Sequence, residues 1–317
     1  MLAQPGLVGE IRRSEGYRLV IGNKTAETRV KLFGAQLLTV GGRSHRCTLS
    51  GATRDLLHYL ILFAGKETRR ERLADLLWCD SSPAQQRSAL NSAAWRIRSR
   101  LRGVSGLELR TDGELIGLEI SDEVAVDVVE LEEAMALATR SPPSEVLAER
   151  LLTALQDCEE PFLGGAVPDW ALAERERLFS LRLRGLTELM HWRADQKRYE
   201  DALDLGRRLL IADPFREAAQ GQVMWLYVLN GQRVQALKQY RDYAALLLAE
   251  LDIEPMPETR ALYEHIRRDL DGGAPTRSLA AVRDPKQPGQ GTALEAMLGA
   301  IDRSRRDLYD ALRGHAR

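Results

Sequence analysis

The chain has 317 residues, is 44% hydrophobic but only 6% aromatic, and carries a formal net charge of −1. Its length allows roughly two or three domains of about 100–200 residues each. The longest apolar run, YLILFA around Leu60, is far too short to span a bilayer, and the opening MLAQPGLVGEIRR has no long apolar segment, so the expectation is a cytoplasmic protein without a membrane partner.

Three scattered cysteines, Cys47, Cys79 and Cys158, form no CxxC pair. They are read as buried thiols in a reducing compartment, with no metal expected. The near-zero net charge hides an asymmetry. Residues 29–121 hold 15 Lys+Arg against 9 Asp+Glu, a net of +6, whereas residues 122–272 hold 18 against 29, a net of −11. A basic front module implies an anionic partner, and an acidic second module is better suited to protein contacts.

Residues 1–28 lack a clear period and read as a mobile N-terminal arm with a short strand at Tyr17–Gly22; Arg12, Arg13 and Arg18 read as part of a solvated tail, with phosphate contact as the alternative. RVKLF (29–33), QLLTV (36–40) and RCTL (46–49) read as three short strands punctuated by Gly34 and Gly41–Gly42. ATRDLLHYLILFAG is a helix with Leu56, Leu57, Leu60 and Ile61 inward and Gly65 as its stop. TRRERLADLLW follows, with Thr68 and Glu71 in capping-box spacing and Leu73, Leu76 and Leu77 as its core face.

Asp80–Ser81–Ser82–Pro83 then signals a third helix, AQQRSALNSAAWRIRSRLR, over residues 84–102. It has five arginines, Arg87, Arg96, Arg98, Arg100 and Arg102, and no acidic residue. Leu90, Ala94, Ile97 and Leu101 fall on one side of a helical wheel, and Ser88, Ser92, Trp95, Arg96 and Ser99 fall on the other, flanked by Asn91 and Arg98. Arginine with small polar neighbours suits the major groove, because guanidinium groups pair with guanine or phosphate and short side chains permit close approach. Arg87, Arg98 and Arg102 are assigned to phosphates and Arg96 to a base. Trp95 lies well away from the apolar stripe, and contact with thymine methyls or sugars and packing under the wing or on the neighbouring module both remain open. LELRTDGELIGLEI forms a hairpin around Asp112–Gly113 and brings Arg110 into the candidate DNA-binding set. Three strands, three helices and a hairpin make a winged helix-turn-helix.

From Val126 onward the pattern is helix after helix, interrupted at PFLGG, with a long helix from about Pro168 to Trp192. A weak repeat of about 34 residues follows, in which Leu189, Tyr199 and Ala202 recur as Val223, Arg233 and Ala236, the spacing of tetratricopeptide-like helix pairs. Residues 271–292 read as a linker, and residues 293–317 as a C-terminal amphipathic helix bearing Leu294, Met297, Leu298, Ile301 and Leu308. The fold class is therefore mainly α: an α+β winged helix over 29–121, then an all-α tetratricopeptide-like domain over 122–270.

With RVKLFG, RERLADLLW, ALNSAAWRIRSRLR, VAVDVVELEEAM, DWALAERERLFSLRL and LDIEPMPETRALYEHI in place, the chain from Arg29 to Leu270 resembles the Streptomyces antibiotic regulatory protein (SARP) family. That family joins an OmpR-like winged helix to a bacterial transcriptional activation domain (BTAD). The resemblance implies a promoter-binding activator that works as a homodimer on tandem repeats of double-stranded DNA, with RNA polymerase as a further partner. Asn91, Ser92 and Trp95 stand where family members commonly carry Arg, Gln and Ser, so a different base preference is expected. The wing reads Gly113-Glu-Leu-Ile-Gly117 rather than Gly-x-Gly-aromatic, and Glu108, Asp112 and Glu114 make it acidic.

No GxxxxGKS/T, HExxH, GxSxG or GxGxxG pattern is present, and His45, His58, His191, His265 and His315 lie apart without ligand spacing. Neither catalysis nor a cofactor is expected. The alternative to a DNA-binding regulator is a helical-repeat adaptor whose winged helix has turned to protein contacts.

Overall fold

A computed structural model describes residues 28–34, 38–41, 43–45, 49–141, 143–165 and 168–271. The N-terminal arm, most of the linker, and the C-terminal helix expected at 293–317 lie outside the described residues. The chain separates into two units, Met1–Thr259 and Arg260–Arg317.

The first unit opens with β1 (Thr28–Val30), β2 (Leu38–Val40) and β3 (Arg43–His45), paired antiparallel with Thr28 opposite Val40 and Leu38 opposite His45. A strand is described at Arg43–His45, whereas most of the one expected at 46–49 lies outside the described residues. The sheet has a fourth member, β7 (Val124–Val126), which runs parallel to β1 on its free edge and gives the order β3-β2-β1-β7. A strand arriving from beyond the wing therefore completes the sheet that opens the chain.

Helix α1 (Gly51–Leu62) buries Leu56, Leu57, Leu60 and Ile61 as its period requires. The next segment departs from the capping-box reading. Thr68 and Arg69 form β4, and α2 begins at Arg70 without a side-chain cap. Thr68 pairs with Ile116, Arg69 with Leu115, and the Arg70 N–H donates to the Glu114 carbonyl at 2.8 Å. Strand pairing from the hairpin satisfies the main chain that a cap would otherwise serve. On α2, Leu73 and Ala74 are buried, but Leu76 is 41% exposed, because the inward line runs through Ala74 rather than Leu76.

Helix α3 (Pro83–Leu101) starts at Ser82, where the Gln85 Oε1 accepts from the Ser82 N–H at 3.0 Å and from its hydroxyl at 2.9 Å. The wing is β5 (Leu107–Asp112) and β6 (Leu115–Ile120), in a sheet of order β4-β6-β5. Asp112 pairs with Leu115, so Gly113 and Glu114 form a two-residue turn, and Gly113 takes the positive φ of 51° that glycine adopts without strain.

Helices α4 (Asp127–Arg140), α5 (Glu145–Asp157), α6 (Asp169–Asp195), α7 (Tyr199–Ala212), α8 (Glu217–Leu229) and α9 (Arg233–Leu251) follow. The repeat expected from the sequence is present: α6 packs on α7 and α8 on α9, with Leu189, Ala202, Val223 and Ala236 all buried. Gly206 lies where α7 crosses its neighbour; a Cβ there would sit 2.6 Å from Val223 Cγ2 and 3.3 Å from Met190 Sδ. Helix α10 (Pro257–Asp271) ends the described chain, and Leu262 and Ile266 share one of its faces.

The winged helix and the helical layers meet through a dense junction. Asp127, the first residue of α4, is fully buried, and its Oδ2 accepts from the N–H groups of Leu32 at 2.8 Å and Phe33 at 2.9 Å, while its Oδ1 accepts from Val128 at 2.7 Å. Burial pushes its pKa up from 3.8 to about 6, against the lowering effect of those hydrogen bonds and of Lys31. Around it, Arg29 pairs with Glu130 at 3.0 Å and with Asp157 at 2.9 Å, and Lys31 pairs with Asp157 at 2.9 Å. Phe33 meets Phe162 edge-on at 5.9 Å, and Tyr59 meets Trp170 at 5.3 Å.

Of the cysteines, Cys158 is buried and its thiol pKa is raised by burial, but Cys79 is exposed in the turn after α2, which corrects the expectation of a buried thiol there. Cys47 lies outside the described residues.

Candidate nucleic-acid interface

The two faces of α3 separate as its period dictates. Gln86, Leu90, Ala93, Ala94, Ile97 and Leu101 are buried, and the Gln86 side-chain amide donates to the Trp78 carbonyl at 3.1 Å, which fixes the helix against the preceding turn. Arg87, Ser88, Asn91, Ser92, Trp95, Arg96, Arg98, Ser99, Arg100 and Arg102 are all exposed. Seven of the nine residues nominated from sequence thus share one solvent-facing surface of a helix that carries no carboxylate; Arg102 follows as its C-terminal cap, and Arg110 sits on the wing.

Trp95 is 68% exposed, so it packs neither under the wing nor on the neighbouring module. An indole left in water on a helix flanked by serines and arginines is a large apolar surface awaiting a cover.

The wing is tied to this helix rather than hanging free. Arg98 Nη2 donates to Thr111 Oγ1 at 2.9 Å, and the Glu114 carbonyl at the wing turn accepts from the start of α2. Arg110 is occupied on the wing itself: its guanidinium pairs with Glu119 at 2.6 Å and approaches Glu108 at 3.9 Å. Its charge is neutralised locally, in a hairpin that also carries Asp112 and Glu114. The cationic surface is therefore α3 and the start of α2, not the wing.

Arg70 was not nominated from sequence. It sits at the first position of α2, and its guanidinium donates to the Oδ1 of Asn91 on α3. Arg69 and Arg72 are exposed beside it. The run Arg69–Arg70–Glu71–Arg72 is visible in the sequence, but reading Thr68 as a cap made these residues an ordinary helix start; in helix-turn-helix proteins the element before the recognition helix crosses the backbone. Among the described residues no group of His, Cys, Asp and Glu is placed to hold a metal ion, and no helix is long and apolar enough to cross a membrane.

Residues 126–267 match the family model of the bacterial transcriptional activator domain. The regulatory protein AfsR of Streptomyces coelicolor is 27% identical over 222 residues, covering 69% of this chain and 22% of that protein. The transcriptional regulatory protein MoaR1 of Mycobacterium bovis is 27% identical over 233 residues, covering 68% of this chain and 72% of MoaR1. Against AfsR of S. coelicolor and of Streptomyces griseus the chain spans only 22% and 26% of the relative's length. The structure of Mycobacterium tuberculosis EmbR in complex with a low affinity phosphopeptide superposes with a TM-score of 0.59 at 22% identity, covering 77% of this chain and 65% of that one, which is a likeness of fold. Residues 126–267 thus match the bacterial transcriptional activator domain, and in this chain that segment stands directly behind the winged helix.

Proposed function

We propose that the chain is a cytoplasmic, sequence-specific DNA-binding transcription regulator of the activator type. Residues 29–121 read double-stranded promoter DNA through α3, and residues 122–270 contact a second protomer or RNA polymerase. The observation that carries this reading is the exposed, carboxylate-free face of α3, with its arginines spread along the helix and its serines between them. Arg87 and Arg102 near the helix ends, with Arg98 beside the wing, suit phosphates; Arg96, nearer the middle of the face, suits a guanine edge. A single winged helix covers too few base pairs for useful selectivity in a genome, so two copies per site are expected.

The alternative, a helical-repeat adaptor with a winged helix turned to protein contacts, is favoured by one feature: the wing is acidic and its Arg110 is engaged by Glu119. An electrophoretic shift of the full chain on its own upstream region separates the two. A salt-sensitive shift that weakens in Arg96→Ala supports regulation through DNA; no shift at low salt removes it and leaves the adaptor.

A further inference from the structure

We infer that the centre of the α3 face reads thymine: Asn91 donates to the O4 of the base, Trp95 covers a C5 methyl of that base or its neighbour on the same strand, and Arg70 is the positioning residue that makes Asn91 a donor. This rests on the DNA-binding reading above and adds the base to it.

The polarity of Asn91 follows from its partner. A carboxamide offers one acceptor oxygen and one donor NH2, whereas a guanidinium only donates. The group facing Arg70 is therefore the Oδ1, and Nδ2 with its two hydrogens is left for DNA. Asparagine's usual two-point contact with adenine needs the Oδ1 to accept from N6 while Nδ2 donates to N7. With Oδ1 turned to Arg70, only its second lone pair is left for N6, so that two-point contact is weakened at Asn91. Its donors can meet guanine O6 or N7, adenine N7 or thymine O4, while cytosine shows them only its own N4 donor.

Trp95 narrows the choice. It lies four residues after Asn91, so the two project from the same strip of the helix, about 6 Å apart along its axis. The indole is 68% exposed, and in the major groove only thymine carries an apolar group for it to cover. Thymine alone combines that methyl with an adjacent acceptor. Ser88, Ser92 and Ser99, all exposed, flank the pair with short side chains.

The test uses the full chain. Sites are first selected from a random duplex pool, and each enriched thymine is then replaced by deoxyuridine, which removes the methyl and nothing else, or its pair by C·G. Binding is read by fluorescence anisotropy for the wild type, Trp95→Ala, Arg70→Ala and Arg70→Lys, each first checked for unchanged thermal melting. The expected result is a position where deoxyuridine weakens wild-type binding by about fourfold, the effect of one methyl group. Trp95→Ala should be indifferent to that exchange. Arg70→Ala should gain tolerance of adenine at the Asn91 position as the Oδ1 is freed, and Arg70→Lys, which still donates, should keep the wild-type preference. Two results overturn the inference while leaving DNA binding intact: deoxyuridine equal to thymidine at every position, or Arg70→Ala with unchanged base preference and only a weaker salt dependence, which would make Arg70 a phosphate contact. Failure to bind any duplex at low salt would remove the DNA-binding reading itself, and the inference with it.

Discussion

Replacing Asp127 with alanine tests the junction between the winged helix and the helical layers. The variant strips the acceptor from three buried main-chain donors, the N–H groups of Leu32, Phe33 and Val128. Each such group left unpaired costs about 1–3 kcal/mol. Part of that is offset, because the wild type holds a desolvated carboxylate: raising its pKa from 3.8 to about 6 corresponds to about 3 kcal/mol in favour of the neutral form. At about pH 7.5 the net loss should be about 2–4 kcal/mol.

The offset has a pH signature. A carboxyl whose folded pKa is raised binds its proton more tightly in the native state, so its contribution to stability grows as pH falls through 6 and levels off below the unfolded value of 3.8. By about pH 5 the wild type gains on the order of 1 kcal/mol from this group, which alanine lacks, so the variant's deficit should widen by about that amount. Glu130 lines the same junction and is present in both proteins, so its titration cancels to first order in the difference. Urea titrations followed by tryptophan fluorescence at the two pH values measure the deficit. A deficit that is equal at both, or smaller at the lower one, would refute the assignment of Asp127 as a buried ionised acceptor.

Trp95→Ala should leave the melting temperature within about a degree of the wild type, since surface substitutions away from special features cost little; thermal melting that falls by several degrees would mean the indole packs. Gly206→Ala should destabilise by about 1–3 kcal/mol, because its methyl would drive into Val223 and Met190, and a lower denaturant midpoint at unchanged slope is the expected reading. Arg98→Ala should weaken binding to all duplexes alike and reduce the slope of log affinity against log salt by about one, measured by anisotropy across a salt series. On a promoter fragment with two repeats, inserting about five base pairs turns one copy half a turn away; cooperative binding in gel shifts should then collapse, and equal affinity would show that the copies bind independently.

Periodicity made α3 legible. Leu90, Ala94, Ile97 and Leu101 repeat every three or four residues, so the buried stripe follows from the order of side chains alone, and so does the exposure of Asn91, Trp95 and Arg96 opposite it. The repeat that ends in Ala202 and Ala236 was visible for the same reason: small residues recur where helices must approach closely. Pairing between distant segments was not visible. Thr68 carries a good local capping signal, but its main chain is claimed by Ile116, 48 residues away, and nothing near Thr68 announces that partner. The fourth strand was missed because VAV before Asp127 is only three residues long and runs straight into an amphipathic helix, whose period dominates the window. The Arg70–Asn91 contact joins two helices through exposed side chains, and Cys79 sits in a turn; local composition carries little information about either.

The strand β7 has a consequence for how such proteins are cut and rejoined. The segment that matches the activator domain begins at Val126, and Asp127 is that domain's first helical residue, yet Val124–Val126 pair with Thr28–Val30 and Asp127 caps the N–H groups that follow them. The start of the family match and the seam in the fold therefore do not coincide. A winged helix excised at residue 121 would carry a bare sheet edge and two buried donors without an acceptor, an invitation to self-association. A chimaera that exchanges the DNA-reading module must instead take its donor through Val128 and bring matching partners for Arg29 and Lys31 from the recipient's α4 and α5. Recombination between relatives in the loop after the wing would separate a strand from its sheet, which favours inheritance of the two modules as a matched pair.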